Sequence, residues 1–356
     1  MSSRRWPLAP GLAAAFVAFG PAVAPAVAGE GGAPVRSPGS RAVVVAAARR
    51  VMEMPVEVKV FAEDDGLARD SVAAALDDIA RTMAMFSERQ ADSGIGRLNR
   101  GAGGDVVKID AETLMVLKTG LAVAGSSAGG FALTTGALLK AWGFDGGARQ
   151  GAVPGAEQIA AALGLVDDRK LVVDDHAMTA RLPVAGMAIS ARGLLKGYAL
   201  DRALALLRGR GYRSALVFVD GDVGAIGGRD DRPWQVGIQD PRAKGYFAVV
   251  ALKDRAAATA GDYQSYFEAG GERYHDLLDP RTGRPARGIR SVTVIAGDAI
   301  TADALARAAF VLGAEAGMEL VQSRPGIEAV FVDSGNQVTV SDGLKAAVRV
   351  VRPPSE

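Results

Sequence analysis

From Pro55 to Ala62 the chain alternates Val56, Val58 and Val60 with Glu57 and Lys59, the period of two expected of a half-buried strand. Ser71 to Phe86 switches to helical spacing, with Ala75, Ile79, Met83 and Phe86 on one face and Ser71 placed as N-cap. Asp110–Gly125 and Ala156–Leu163 predict further helices. Leu171–Val173 and Ala177–Leu182, split by Asp174, Asp175 and His176, predict a hairpin. Gly193–Leu207 then reads as a helix and Ser214–Val219 as a buried strand. The second half adds strands near Trp234–Ile238, Tyr246–Leu252, Ser291–Ile295, Glu328–Val332 and Ala346–Val351, with a last helix at Ala302–Leu312. Strands and helices interleave without a strict βαβ rhythm and without a solenoid repeat. The pattern predicts an α+β domain with a largely antiparallel sheet and packed helices.

The first residues break this pattern. Arg4 and Arg5 precede an apolar run, Leu12–Val23, broken by Pro21, and Ala26-Val27-Ala28 has the small-x-small form of a signal-peptidase site. Residues 1–28 are therefore expected to be a signal peptide, of Sec or twin-arginine type, that exports a periplasmic protein. The Gly-, Pro- and Ser-rich segment 29–44 reads as a flexible linker, leaving 45–350 as one domain without an internal linker. The chain has no cysteine, which excludes thiol catalysis, Cys-ligated zinc and a lipidated cysteine. Its formal net charge of +1 gives no global field for nucleic acid. Two histidines exclude a three-His metal site, and the common phosphate-loop, dinucleotide, nucleophile-elbow and zinc-helix motifs are missing.

Polar chemistry concentrates in a few turns. Thr259–Pro285 combines a Gly-Asp-Tyr turn, an aromatic-rich hairpin, His275 and the loop Asp279-Pro280-Arg281-Thr282-Gly283, which Pro and Gly make a good turn on backbone grounds alone. Asp220-Gly221-Asp222 ends a buried strand, where backbone can approach a ligand closely. Asp303 falls in the first turn of the last helix with Thr301 as cap, a position that the helix dipole suffices to explain. His176, between aspartates, reads as a solvated turn residue.

The order of these pieces resembles the ApbE family, the FAD:protein FMN transferases, from about Val51 to Gly313. Met52–Pro55 stands for the family's Met-Gly-Thr, and Asp92-Ser93…Leu98-Asn99 for its Asp-Ser-Glu-x-x-x-Leu-Asn. Gly130-Phe131-Ala132-Leu133-Thr134-Thr135-Gly136 and Trp142-Gly143-Phe144 match Ala-Phe-Asp-x-Thr-x-Gly and Trp-Gly-Phe. Gly193–Asp201 matches Gly-Ile-Ala-Lys-Gly-Tyr-Ala-x-Asp. Asp220–Asp222, Thr259–Tyr263, the Asp-Pro-Arg-Thr-Gly loop and Ala302–Ala306 complete the series.

The resemblance implies a single T-fold-related domain that binds FAD and Mg²⁺, cleaves the FAD pyrophosphate, and attaches FMN through a phosphoester to a Thr or Ser of an acceptor flavoprotein. It places Met52, Gly130, Phe131, Ala132, Ser190, Lys196 and Ser291 at the flavin, and Asp303 with the Gly193 carbonyl at the metal. The chain departs from the family at costly positions. Asp276 stands where the family has its proposed catalytic His, with His275 one residue before it, so Asp276 and His275 are both candidate bases. Arg307 replaces the metal-binding Thr and, four residues after Asp303, is placed to pair with it. Ala132, Ser190 and Arg89 replace two aspartates and an aromatic. Two alternatives follow: a degenerate FAD-binding protein, or a Mg²⁺-dependent FAD pyrophosphatase.

Overall fold

The computed structural model describes residues 35–36, 43–145, 152–229 and 232–356. The signal peptide expected at 1–28, and most of the linker expected at 29–44, lie outside the described residues; within that linker Val35–Arg36 pairs with Val43–Val44.

Nine strands form one antiparallel sheet whose spatial order is its order along the chain. Numbering this sheet alone, they are β1 (Val35–Arg36), β2 (Val43–Val51), β3 (Met54–Ala62), β4 (Ala215–Val219), β5 (Asp222–Ile226), β6 (Ala256–Gly261), β7 (Ile289–Ala296), β8 (Glu328–Asp333) and β9 (Val338–Val340). Three helices, α1 (Asp65–Met85), α2 (Leu195–Gly209) and α3 (Ala299–Leu312), cover one face. Val56, Val58 and Val60 of β3 bury there against Val72, Ile79, Met83, Leu200 and Leu204, so the period-two pattern maps onto the core as expected. A three-stranded sheet of Trp234–Gln239, Tyr246–Leu252 and Val348–Val350 covers the opposite face, where Phe247, Val250 and Leu252 pack on Leu216, Val223 and Ala225. The result is the expected α+β domain with an antiparallel sheet.

Two helix starts differ from expectation. Helix α1 begins at Asp65, capped by Asp64, whose Oδ1 accepts from Leu67 N at 2.9 Å; Ser71 lies inside the helix and donates to Leu67 O. Helix α3 begins at Ala299, capped by Asp298 rather than Thr301, so Asp303 lies in its second turn, beyond the strongest reach of the dipole. Asp201 of α2 accepts from Ala299 N and Ile300 N at 2.8 and 2.9 Å and ties the two helices together. Strand β6, Ala-Ala-Ala-Thr-Ala-Gly, has little strand propensity but lies in the middle of the sheet, where its small side chains let α3 approach. Among the described residues, no helix is long and apolar enough to cross a membrane.

One end of the sheet gathers the unusual backbone. Met52 (φ 49°) and Glu53 (φ 67°) make the two-residue β2–β3 turn, and Asp220 (φ 46°) with Gly221 (φ 96°) makes the β4–β5 turn. Both have the positive-φ pair that a right-twisted two-residue hairpin requires, and three of the four residues are not glycine. Asp220 N donates to Pro55 O, which places the two turns side by side.

Candidate functional site

A small cleft opens beside α3, lined by Gly130, Phe131, Ala132 and Thr135 on one side and by Arg192, Asp276, Pro280 and Arg307 on others. Its walls are fixed by one local bond and several contacts distant in sequence. Phe131 N donates to Ser127 Oγ, and Gly130 lies so close to α3 that a Cβ would stand 2.6 Å from Ala308 O. Asn99 clamps Ile189 from both sides, accepting its N–H at 2.7 Å and donating to its carbonyl at 2.9 Å. Glu88 accepts from Ala191 N. These bonds hold the segment carrying Ser190, Arg192 and Gly193.

The hairpin Tyr266–Ala269/Glu272–His275 delivers Asp276. Tyr274 stacks on Trp142 at 5.6 Å and on Phe267 at 5.4 Å, while Trp142 Nε1 donates to Gly283 O at 2.8 Å. His275 points to the opposite side. It is buried, edge-on to Phe310 at 5.4 Å, with Nε2 3.0 Å from Ala286 O. That carbonyl can only accept, so Nε2 carries a proton, and burial pushes the ring's pKa down, which favours its neutral form. Asp276 extends the ladder through Asp276 N to Ser265 O and returns to the Tyr274 side, as strand alternation requires. Of the two candidate bases, the structure places Asp276 in the cleft wall and His275 in the core behind it.

Asp276 is a buried carboxylate between two arginines. Its Oδ2 lies 2.6 Å from Arg192 Nη1 and 3.3 Å from Arg307 Nη2, and Arg192 also bonds Phe144 O through Nη2. Burial alone would raise its pKa, but the charges of Arg307 and Arg192 outweigh it and hold the carboxyl below its ordinary value. Arg307 thus pairs with Asp276, not with Asp303 as its helical spacing suggested. A Cβ on Gly193 would stand 2.4 Å from Arg307 Cδ, so the arginine stem lies directly over Gly193.

Asp303 faces a different partner set. Its Oδ2 accepts from Gly197 N at 3.3 Å. Beside it, Lys196 Nζ sits 3.0 Å from Asp222 Oδ2 as an ion pair, and 3.4 Å from Asp220 O. Burial opposes the Lys196 charge, but Asp222, Asp303 and Asp220 together keep it protonated well above its usual range. Burial raises Asp222, against the pull of Lys196. The expected Mg²⁺ site does not fit this arrangement: Lys196 supplies the counter-charge to Asp303 and Asp222, and Arg307 covers Gly193. Among the described residues, no group of three or more His, Asp or Glu side chains is placed to hold a metal ion.

The sequence matches the ApbE family over residues 52–331. The chain belongs to the ApbE family. It is 35% identical to a FAD:protein FMN transferase of Treponema pallidum over 75% of this chain and 78% of that one. It is 30% identical to the FAD:protein FMN transferase of Vibrio cholerae, over 73% and 79% of the two chains. The crystal structure of the ApbE protein of Thermotoga maritima superposes with a TM-score of 0.80 at 34% identity, covering 88% of this chain and all of that one.

Within this ApbE chain the residues named from sequence fall in three places. Gly130, Phe131, Ala132 and Asp276 line the cleft, and Gly193 touches it through Phe131 and Arg307. Lys196 and Asp303 belong to the polar cluster at the end of the sheet. Ser190 is buried below the cleft, its Oγ accepting from Arg192 N, Ser291 is buried in β7 opposite Gly261, and Met52 is exposed in the β2–β3 turn. Several family motifs do structural work. Asp262 of the Gly-Asp-Tyr turn accepts from both Arg242 Nη atoms at 2.7 and 2.6 Å, and Asp279 is taken up by Arg281 of its own loop. Arg192 was missed from sequence, although it lies between two flagged positions, because a lone arginine just before a predicted helix reads as surface. His176 is an exposed turn residue, as expected.

Proposed function

We propose that this ApbE protein is a FAD:protein FMN transferase that moves FMN from FAD onto a Thr or Ser hydroxyl of an acceptor flavoprotein. The reading is carried by the convergence around one cleft of segments that bear family motifs, Gly130-Phe131, Gly193 and Pro280 of the Asp-Pro-Arg-Thr-Gly loop, with the departures Asp276 and Arg307 set among them. In the transfer, the acceptor oxygen attacks the phosphorus on the FMN side, the bridging P–O bond breaks, and AMP leaves with the bridging oxygen. The hydroxyl proton must pass to a base. Both ion pairs of Asp276 fall on Oδ2, so Oδ1 is the oxygen left to accept it. The two arginines that fix this carboxylate also make it a weak base, so slow transfer is expected.

That same depressed basicity favours the second reading, a protein that binds FAD without transferring FMN. Incubation of the protein with FAD and a Thr-containing acceptor domain, followed by intact-mass analysis, separates them. A covalent FMN adduct establishes transfer; bound FAD without adduct establishes the binding protein; AMP and FMN without adduct indicate a pyrophosphatase. The absence of FAD binding refutes all three. The signal read at residues 1–28 makes the periplasm the proposed site of action, which cell fractionation tests.

A further inference from the structure

The cleft takes its charge from arginines, not from a carboxylate cluster. Arg307 carries five N–H donors, and its one hydrogen-bond acceptor among the described residues is Asp276 Oδ2, at 3.3 Å. Its stem is guided over Gly193, whose φ of +83° and missing side chain leave the necessary room. The remaining donors belong to the cleft wall, beside Gly130 and Thr135. Arg192 differs: its Nη atoms are engaged by Asp276 and Phe144 O, and Glu88 and Asp145 offset part of its charge through space. Asp276 therefore holds two guanidinium groups together while neutralising only one charge. Arg307 is the member with open donors and uncompensated charge.

A guanidinium with free donors in a half-buried cleft suits oxyanions of phosphate geometry, which it meets through parallel N–H···O bonds. No cation need be recruited for this, and the ammonium of Lys196 already occupies the neighbouring acidic cluster. We propose that Arg307, positioned by Asp276 and Arg192, supplies the counter-charge for the pyrophosphate of the nucleotide entering this cleft, so that binding there requires no divalent cation. The inference rests on the transferase reading only for the choice of FAD as that nucleotide.

The test is equilibrium titration of the full chain in EDTA with FAD, riboflavin and inorganic pyrophosphate. FAD is expected to bind without metal, pyrophosphate to compete with it, and riboflavin to bind at least about tenfold more weakly, the factor that one charge-assisted contact supplies. Arg307→Met should weaken FAD and pyrophosphate by a similar factor and leave riboflavin unchanged, and Arg307→Lys should retain part of the affinity. Circular dichroism melts show whether each variant is folded. Binding of FAD and pyrophosphate only after Mg²⁺ is added would overturn the inference and leave the flavin reading standing. So would unchanged affinities in folded Arg307→Met. Pyrophosphate bound in EDTA without affinity for FAD would do the reverse, keeping the anion site and removing the flavin reading.

Discussion

Replacing Lys196 with Met tests the polar cluster at the end of the sheet. Asp222 is fully buried, its Oδ1 accepting from Thr259 N at 3.1 Å and its Oδ2 facing Lys196 Nζ at 3.0 Å. Methionine keeps most of the side-chain volume but leaves Asp222 and nearby Asp303 without their cation. Removing one partner of a buried pair costs about 3–5 kcal/mol while the other stays charged. Asp222 escapes that cost by taking up a proton. An acid whose pKa is raised by folding holds its proton in the native state over an interval above its unfolded value of 3.8, so stability falls as pH rises through that interval. Lys196 remains protonated throughout in the parent protein, so the loss in the variant belongs to the carboxylate. Urea denaturation followed by tryptophan fluorescence should show the full deficit near pH 8, shrinking toward about 1 kcal/mol near pH 5, the worth of an ordinary lost polar contact. Adding Asp222→Asn should recover most of the loss at the higher pH. A deficit that is equal at both pH values, or below about 1 kcal/mol at the higher one, refutes the argument.

Asn99→Ala strands the buried N–H and C=O of Ile189, at about 1–3 kcal/mol per group, so a loss of about 2–4 kcal/mol is expected in chemical denaturation, together with weaker FAD binding as the Ser190–Gly193 segment loosens. Glu53→Gly should stabilise by about 1 kcal/mol, read as a raised melting temperature, because the turn holds Glu53 at φ 67° and its exposed 3.6 Å pairing with Arg50 contributes little. Below about pH 6.5 buried His275 should subtract from stability, since its pKa is lowered on folding, while Asp222 and Asp201, raised by burial, act in the opposite sense, so the share of His275 is the difference between the parent and His275→Gln. The unfolded chain then binds a proton that the native state does not, and a second loss follows below the ordinary value of 3.8 for Asp276 as its arginine pairs discharge. Melting temperatures across the acid range check this, and His275→Gln should remove the first loss.

Legibility in the sequence followed the strength of local pattern. Strand β3 and the hairpin at Val172–Asp174 and Thr179–Arg181 were readable because alternation and Asp-rich turns are local signals. Strands β5 and β6 were not, because Asp-Val-Gly-Ala-Ile and Ala-Ala-Ala-Thr-Ala-Gly are shaped by what packs on them: a Cβ at Gly224 would stand 2.5 Å from Leu204 Cδ1 of α2. The start of α1 was placed at Ser71 because serine is a good cap, yet Asp64, with its own side-chain bond to Leu67 N, lies about two turns earlier and caps the same helix. At the site, family motifs pointed to Gly130–Ala132, Lys196, Asp276 and Asp303, but not to their pairings. Which acid meets which base depends on long-range register, and there Arg192 and the Arg307–Asp276 contact were out of reach.

That contact changes the meaning of the two costliest departures. Taken along the chain, an aspartate where the resemblance implies the base and an arginine where it implies a metal ligand are separate departures, 31 residues apart. In space they are each other's partners, one anion and one cation meeting at 3.3 Å across the cleft, with Arg192 completing the set at 2.6 Å. Arg307 without Asp276 would bring a second guanidinium to a cleft with no carboxylate to hold the two together, whereas Asp276 without Arg307 would keep its 2.6 Å pair with Arg192. Together with Arg192 the pair keeps the cleft wall polar, ordered and, by the three charges that line it, net cationic. On the proposed reading a phosphate-bearing ligand occupies this cleft, and its transfer depends on how readily Asp276 Oδ1 accepts a proton while its other oxygen is held.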